Sequence, residues 1–236
     1  MRLHAPTLDE RSLNVFESRP LGVWIQETKK TRGDEEMREP FMDFMKKELG
    51  SDTVLIACGL PASYKTETTE VIARLKGYAI LRTDMIRLEV LRGEDIFDEK
   101  IASNMDKRRL VYDEMFRLGE ELSAKGESIL FDATFVSQSL RRRAAEVAAK
   151  NRKRFVIQQT QCPQEVSLRR ISERSKENYE SNALTEQAYL NNKKKFEPVD
   201  LEDLKRLFPS LNILHLLVDT TSDLETEWFV IDKVSR

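Results

Sequence analysis

The chain has 236 residues, 40% of them hydrophobic, which suits one α/β domain with an appendage, and a formal net charge of −2 gives it no overall attraction for nucleic acid. Two cysteines, Cys58 and Cys162, support neither a disulfide framework nor a structural zinc site and read as small buried hydrophobes. The longest apolar runs, Val54–Cys58 and Ile213–Val218, are too short to cross a bilayer, and no signal-peptide pattern opens the chain, so a cytoplasmic protein with no membrane partner is expected.

Residues 1–50 read as an N-terminal extension. Leu13, Phe16 and Leu21 are scattered apolar anchors, while Phe41, Met42, Phe44, Met45 and Leu49 form a helix-like stripe after Pro40. From residue 51 the pattern changes to strands alternating with helices. Thr53–Cys58 is β-branched and apolar, and Lys65–Leu75 places apolar side chains at helical spacing. Between them run Gly59, Leu60, Pro61, Ala62, Ser63, Tyr64, Lys65 and Thr66, with Glu67 next. This stretch matches the phosphate-loop pattern G-x-x-x-x-G-K-[ST] at Gly59, Lys65 and Thr66 and departs from it at the second glycine, where Tyr64 stands. Such a loop wraps a phosphate in backbone N–H groups and opens a helix whose N-terminus also favours anions. Lys65 would bridge the terminal phosphates, and the Thr66 hydroxyl would bind Mg²⁺.

Gly77 ends this helix and Tyr78–Arg82 forms a second strand. Thr83 and Asp84 then begin a helix. A carboxylate at the carboxyl end of a parallel strand points into the crevice where such sheets bind ligands, although either residue could instead be an N-cap. After a polar stretch, 94–103, a helix is expected from about Met105 to Lys125, closed by Gly126. Ser128–Phe131 is a third strand, ending in Asp132, a position from which an aspartate can hold Mg²⁺. A helix from Ser137 through Ala149 and a strand over Arg154–Thr160 follow. Pro163 opens a helix carrying Arg170 and Arg174 four residues apart on one face, where they could approach phosphates.

Lys176–Asn182 is turn-like, Ala183–Phe196 and Leu201–Leu207 are helical, and Asn212–Val218 is the last strand before a helical or extended tail. His215 lies in that strand and reads as a strand residue rather than a catalyst. Five strands alternating with helices predict a mostly parallel sheet with helices on both faces. Basic clusters at Lys107–Arg109, Arg141–Arg143, Arg152–Arg154, Arg169–Arg174 and Lys193–Lys195 would attract an anionic substrate if several faced one side.

In order, GLPASYKT, TDMIR, LFDATF, RRRAAEVA and LRRISER resemble the motifs of P-loop kinases with an AAA-type ATP-binding domain. These are the group that includes polynucleotide kinases, gluconate kinase-like enzymes and zeta toxins. The resemblance covers about Thr53 to Asp219. It implies an α/β P-loop NTPase kinase fold over 51–236, with a five-stranded sheet in the order 2-3-1-4-5 and a helical lid at about 163–196. It further implies that Lys65 and Thr66 serve ATP and Mg²⁺, that Asp84 accepts the proton of an attacking hydroxyl, and that Arg87 holds the acceptor. Asp132 then belongs to a Walker-B-like strand end, and Arg170 with Arg174 to the lid. The expected activity is ATP-dependent phosphoryl transfer to a hydroxyl, on a small molecule or on a nucleic-acid 5′ end. A non-catalytic nucleotide-binding module is the alternative. The loops of this group usually carry glycines where Ala62 to Tyr64 stand, which leaves two arrangements: a Tyr64 ring turned outward, or one filling the phosphate space.

Overall fold

The computed structural model describes residues 37–94, 101, 104–174 and 185–236. The chain divides into two units, Met1–Lys30 and Thr31–Arg236, and the described residues all belong to the second. The anchors Leu13, Phe16 and Leu21, the turn at Lys176–Asn182, and residues 175–184 of the expected lid lie outside the described residues.

The centre of the sheet is β2 (Thr53–Cys58), every residue of which is buried. It pairs in parallel with β4 (Ile129–Asp132) on one side and β5 (Arg154–Gln161) on the other. Beyond β4 lies β3 (Ala79–Arg82), and beyond β5 lies β6 (Ile213–Asp219), both also parallel. A parallel strand covered on both faces reads as a continuous apolar run, which is why VLIAC was legible as a strand. Val54, Ile56 and Cys58 face one layer, formed by α4 (Met105–Ala124) and α5 (Gln138–Lys150) with Met115, Phe116, Ala144 and Ala148. Leu55 faces the other, where α1 (Phe41–Glu48) and α2 (Lys65–Lys76) contribute Phe41, Phe44, Met45, Val71 and Ile72. The two-residue alternation of the pleat thus divides one strand between two cores. Helix α4 crosses the sheet so closely at Gly119 that a Cβ there would lie 2.3 Å from Phe131 Cζ.

The five expected strands stand in the relative order 2-3-1-4-5, but the sheet has seven strands and not five. Its full order is β1-β7-β6-β5-β2-β4-β3. The C-terminal tail turns through Glu225–Glu227 and returns as β7 (Phe229–Ser235), antiparallel to β6. Against β7 pairs β1 (Glu39–Pro40), a two-residue edge strand whose proline is tolerated because an edge leaves its missing N–H unused. Neither was readable beforehand: β7 buries only Val230 fully, so it lacks a clean alternation, and β1 is too short to carry any period. Among the described residues the remaining helices of seven residues or more are α3 (Thr83–Val90), α6 (Gln164–Ser172), α7 (Glu186–Lys195) and α8 (Leu201–Leu207). No described helix is long and apolar enough to cross a membrane.

Candidate active site

At the carboxyl end of β2 the chain must turn sharply past β5, and Gly59 makes that possible. Its φ is +146°, and a Cβ would fall 2.6 Å from the Thr160 carbonyl oxygen. The loop then takes left-handed backbone at Ala62 (φ 60°) and at Tyr64 (φ 54°, ψ 37°), the residue that precedes α2. For a residue with a Cβ this conformation costs roughly 1–2 kcal/mol. The departures from glycine therefore leave the loop's turns in place at an energetic cost.

Bonds to neighbouring elements hold the loop against that cost. Ser63 Oγ donates to the Leu60 carbonyl at 2.7 Å and lies 2.7 Å from Thr160 Oγ1. Thr220 Oγ1 donates to the Ser63 carbonyl at 3.0 Å, and Arg170 Nη1 donates to the Ala62 carbonyl at 3.2 Å. The Tyr64 ring is turned onto the C-terminal segment: it lies 5.5 Å from the Trp228 ring and 3.7 Å beneath the Arg170 guanidinium, and its hydroxyl donates to Asp223 at 2.8 Å. Burial and the neighbouring Asp223 push the Tyr64 phenol up to about 12, so it stays a neutral donor.

Lys65, first residue of α2, folds back to donate to the Leu60 carbonyl at 2.6 Å. Burial pushes its ammonium below the ordinary lysine value, while the Asp132 carboxylate pulls the other way. Burial also raises Glu67, against the charges of Lys65 and Arg174. Asp132, buried at the end of β4, accepts from Arg82 Nε at 3.0 Å and from Thr69 Oγ1 at 3.5 Å; Thr69 in turn donates to the Thr66 carbonyl. Thr66 and Asp132 thus flank one helical turn and offer a hydroxyl and a carboxylate. That donor set fits Mg²⁺, which takes few protein ligands beside phosphate oxygens and water. Among the described residues no group of three His, Cys, Asp or Glu could form a metal site without such help.

Across β4 stands the second part of the site. Thr83 Oγ1 donates to the Asp132 carbonyl at 3.4 Å, which ties the start of α3 to the end of β4. Asp84 lies in the first turn of α3; the N-cap position belongs to Arg82, with no side-chain cap bond. Its Oδ1 accepts from Arg87 Nη1 at 2.7 Å, and both side chains are partly exposed. The buried Tyr112 of α4 lies within the fields of Asp84, Arg87 and Arg108, with burial pushing its phenol up to about 12. Nothing in the sequence pattern singled Tyr112 out.

Arg170 and Arg174 do not share one setting. Arg170 is buried behind the loop, on its carbonyl side. Besides Ala62, it donates to the carbonyls of Thr220, Thr221 and Ser222 at 2.9–3.2 Å and to Asp223 at 2.9 Å. Arg174 is the one whose charge acts on Lys65 and Glu67. Members of two basic runs, 141–143 and 152–154, are likewise bound into the structure. Arg142 forks onto Asp203 at 2.6 and 2.7 Å, Arg143 pairs with Asp113, buried Arg141 donates to the carbonyls of Glu197 and Pro198, and Arg154 pairs with Glu48.

Three of the solved structures that share this architecture illustrate it. A gluconokinase from Sinorhizobium meliloti 1021 is 18% identical with a TM-score of 0.51, over 74% of this chain and 86% of that one. A protein from Chloroflexus aurantiacus j-10-fl, provisionally described as a kinase, is 16% identical with a TM-score of 0.53, over 73% and 90%. The AvrRxo1-ORF1:AvrRxo1-ORF2 complex with sulphate ions matches at 18% identity and a TM-score of 0.51, over 83% of this chain and 61% of that one. At these identities the likeness is one of fold. No curated protein sequence matches the chain. A family model described as an AAA domain matches residues 54–199, a span that includes the phosphate loop, Asp84, Asp132, Arg170 and Arg174, and the chain belongs to that P-loop family.

Proposed function

We propose that the protein is a kinase, an ATP- and Mg²⁺-dependent phosphotransferase that moves the γ-phosphoryl group of ATP to an alcohol group. The observation that carries this reading is the juxtaposition at one end of the sheet of a phosphate loop ending in Lys65 and Thr66, the buried carboxylate of Asp132, and the Asp84–Arg87 pair across β4. In this reading the loop amides and Lys65 hold the β- and γ-phosphates, with Lys65 leaving the Leu60 carbonyl to do so. Thr66 and Asp132 would hold Mg²⁺, which supplies charge neutralisation at the phosphates when bound. Asp84, oriented by Arg87, accepts the proton of the acceptor hydroxyl; its oxygen bonds to the γ-phosphorus as the bond to the β–γ bridging oxygen breaks, releasing ADP. Arg174 approaches the same phosphates.

A small polar acceptor is favoured over a polynucleotide 5′-hydroxyl, because Arg141, Arg142, Arg143 and Arg154 are engaged with carbonyls and carboxylates. Nucleic-acid binding would show a steep loss with salt, and a small acceptor would not. The strained Ala62 and Tyr64 favour a second reading, a nucleotide-binding module without turnover. Calorimetric titration with MgATP, followed by an acceptor screen with γ-labelled ATP over sugar acids, polyols and a 5′-hydroxyl oligonucleotide, separates them. Wild type should bind MgATP and label a hydroxyl acceptor, and Lys65→Ala should weaken binding or transfer by about 10²-fold or more, as for loss of one preorganised charge donor. Unchanged affinity and transfer in Lys65→Ala would remove the phosphate-loop assignment, and binding without labelling of any acceptor would favour the module.

A further inference from the structure

We infer that Tyr64 is a positioning residue of the phosphate loop, through which the C-terminal segment Thr220–Trp228 fixes the loop before a nucleotide arrives. For its effect on MgATP the inference rests on the kinase reading; for the loop itself it does not.

Tyr64 occupies the last loop position before Lys65, in a left-handed conformation that disfavours any side chain. What a side chain adds there is a handle, and every group that grips it also grips the C-terminal segment. Arg170 stacks on the ring and donates to the Thr220, Thr221 and Ser222 carbonyls. Asp223 accepts from the hydroxyl and from both Arg169 and Arg170. Trp228, fully buried, packs on the ring, donates Nε1–H to the Ser222 carbonyl at 2.9 Å and meets Phe41 of α1 edge-on. Phe41 N–H donates to the Trp228 carbonyl, which ties the same point to the β1–α1 junction.

The segment also reaches the loop directly, through Thr220 to Ser63 and through Arg170 to Ala62. Those contacts are to loop carbonyls, so they lie on the side opposite the N–H groups that an anion would use. A glycine at position 64 would adopt the turn without strain but would offer none of these attachments. The exchange replaces backbone freedom with an anchor, which lowers the ordering cost at binding. Asp223 and Trp228 lie outside residues 54–199, so this part of the site is supplied by chain beyond the matched domain.

Amide hydrogen exchange of the nucleotide-free full chain tests the inference. In Tyr64→Gly, amides of Ala62–Thr66 should exchange about tenfold faster or more, while those of Val71–Lys76 stay at the wild-type rate. Tyr64→Phe, which keeps the ring and loses only the hydroxyl, should fall between. Asp223→Asn should loosen the loop at least as much as Tyr64→Phe. Wild-type or slower loop exchange in Tyr64→Gly would overturn the proposal, because it would mean that relief of strain outweighs the anchor. Should Tyr64→Gly fail to fold, wild-type exchange in both Tyr64→Phe and Asp223→Asn overturns it instead. With MgATP the same order should appear as a rise in KM of up to about tenfold in Tyr64→Gly, exceeding any fall in kcat. Faster loop exchange in the variants of a protein that does not bind MgATP would sink the kinase reading and leave the anchor standing; MgATP binding with unchanged exchange would do the reverse.

Discussion

The two halves of the candidate site are built in different ways. On the phosphate-loop side, Leu60, Ala62 and Ser63 each give their carbonyl to a side-chain donor, and Arg170, Thr220 and Tyr64 bind the loop to chain up to 159 residues away. On the α3 side, where the proposed acceptor would sit, Asp84 and Arg87 are three residues apart on one short helix, and α3 leaves Met85 and Leu88 more than 40% exposed. A loop that must present several N–H groups to one anion needs its backbone fixed from outside. In the proposed kinase, a base oriented by a neighbouring arginine needs only a helix that projects the pair.

The largest expected effect breaks the acceptor side alone. Asp84→Asn should slow transfer about 10²–10⁴-fold while MgATP affinity stays near wild type, since only proton acceptance is lost. Transfer at the wild-type rate would reduce Asp84 to a first-turn residue of α3. The second test sets the two arginines of α6 and its end against each other. Arg170→Ala strips the donors from four carbonyls and Asp223 and should destabilise the fold by about 3–5 kcal/mol, read by urea unfolding, with no full rescue by lysine. Arg174→Ala should lower kcat more than MgATP affinity. Equal losses of kcat and affinity would mean that Arg174 binds ground state and transition state alike.

The difference between the halves also governs what the sequence discloses. Gly59, Lys65, Thr66, Asp84 and Asp132 sit at fixed offsets from strand ends, so local pattern singled them out as candidates, and it also read all five parallel strands. Arg170 was located on its helix, but the helical face that carries it says nothing of what it meets. Its partners are Ala62, 108 residues before it, and Asp223, 53 residues after it. The spacing of Arg170 and Arg174 was read as one functional face, yet the helix α6 ends at Ser172 and Arg174 lies past its end. Tyr64 stood out as an exception without revealing its purpose, since Trp228 and Asp223 belong to a tail with no regular period. Tyr112 was not singled out, because nothing in the spacing of its helix distinguishes it.

The smallest effect concerns the sheet that carries the C-terminal segment. His215 stands on β6 opposite Ile157 and Val234, with Nε2 3.1 Å from Gln159 Oε1. Burial holds its imidazole down to about 4, a shift that Arg141 deepens and Asp232 opposes. In an unfolded chain the imidazole titrates near 6.5, so between pH 6.5 and 4 the unfolded state binds a proton that the folded state refuses. Stability is therefore full above pH 6.5, declines as pH falls to 4 and gains no further slope from this group below it. The loss amounts to at most about 3 kcal/mol at 1.36 kcal/mol per pH unit. Asp223 and Asp203, held at about 2 chiefly by Arg169 and Arg142, keep their stabilisation until the pH drops from about 4 toward 2, so their window lies beneath that of the histidine. Glu67, raised by burial, acts with the opposite sign, and comparing wild type with His215→Gln at each pH cancels it. Urea unfolding from pH 7 to 4 should show the wild-type stability falling relative to His215→Gln by up to that amount. Parallel curves would mean that the histidine is protonated in the folded sheet.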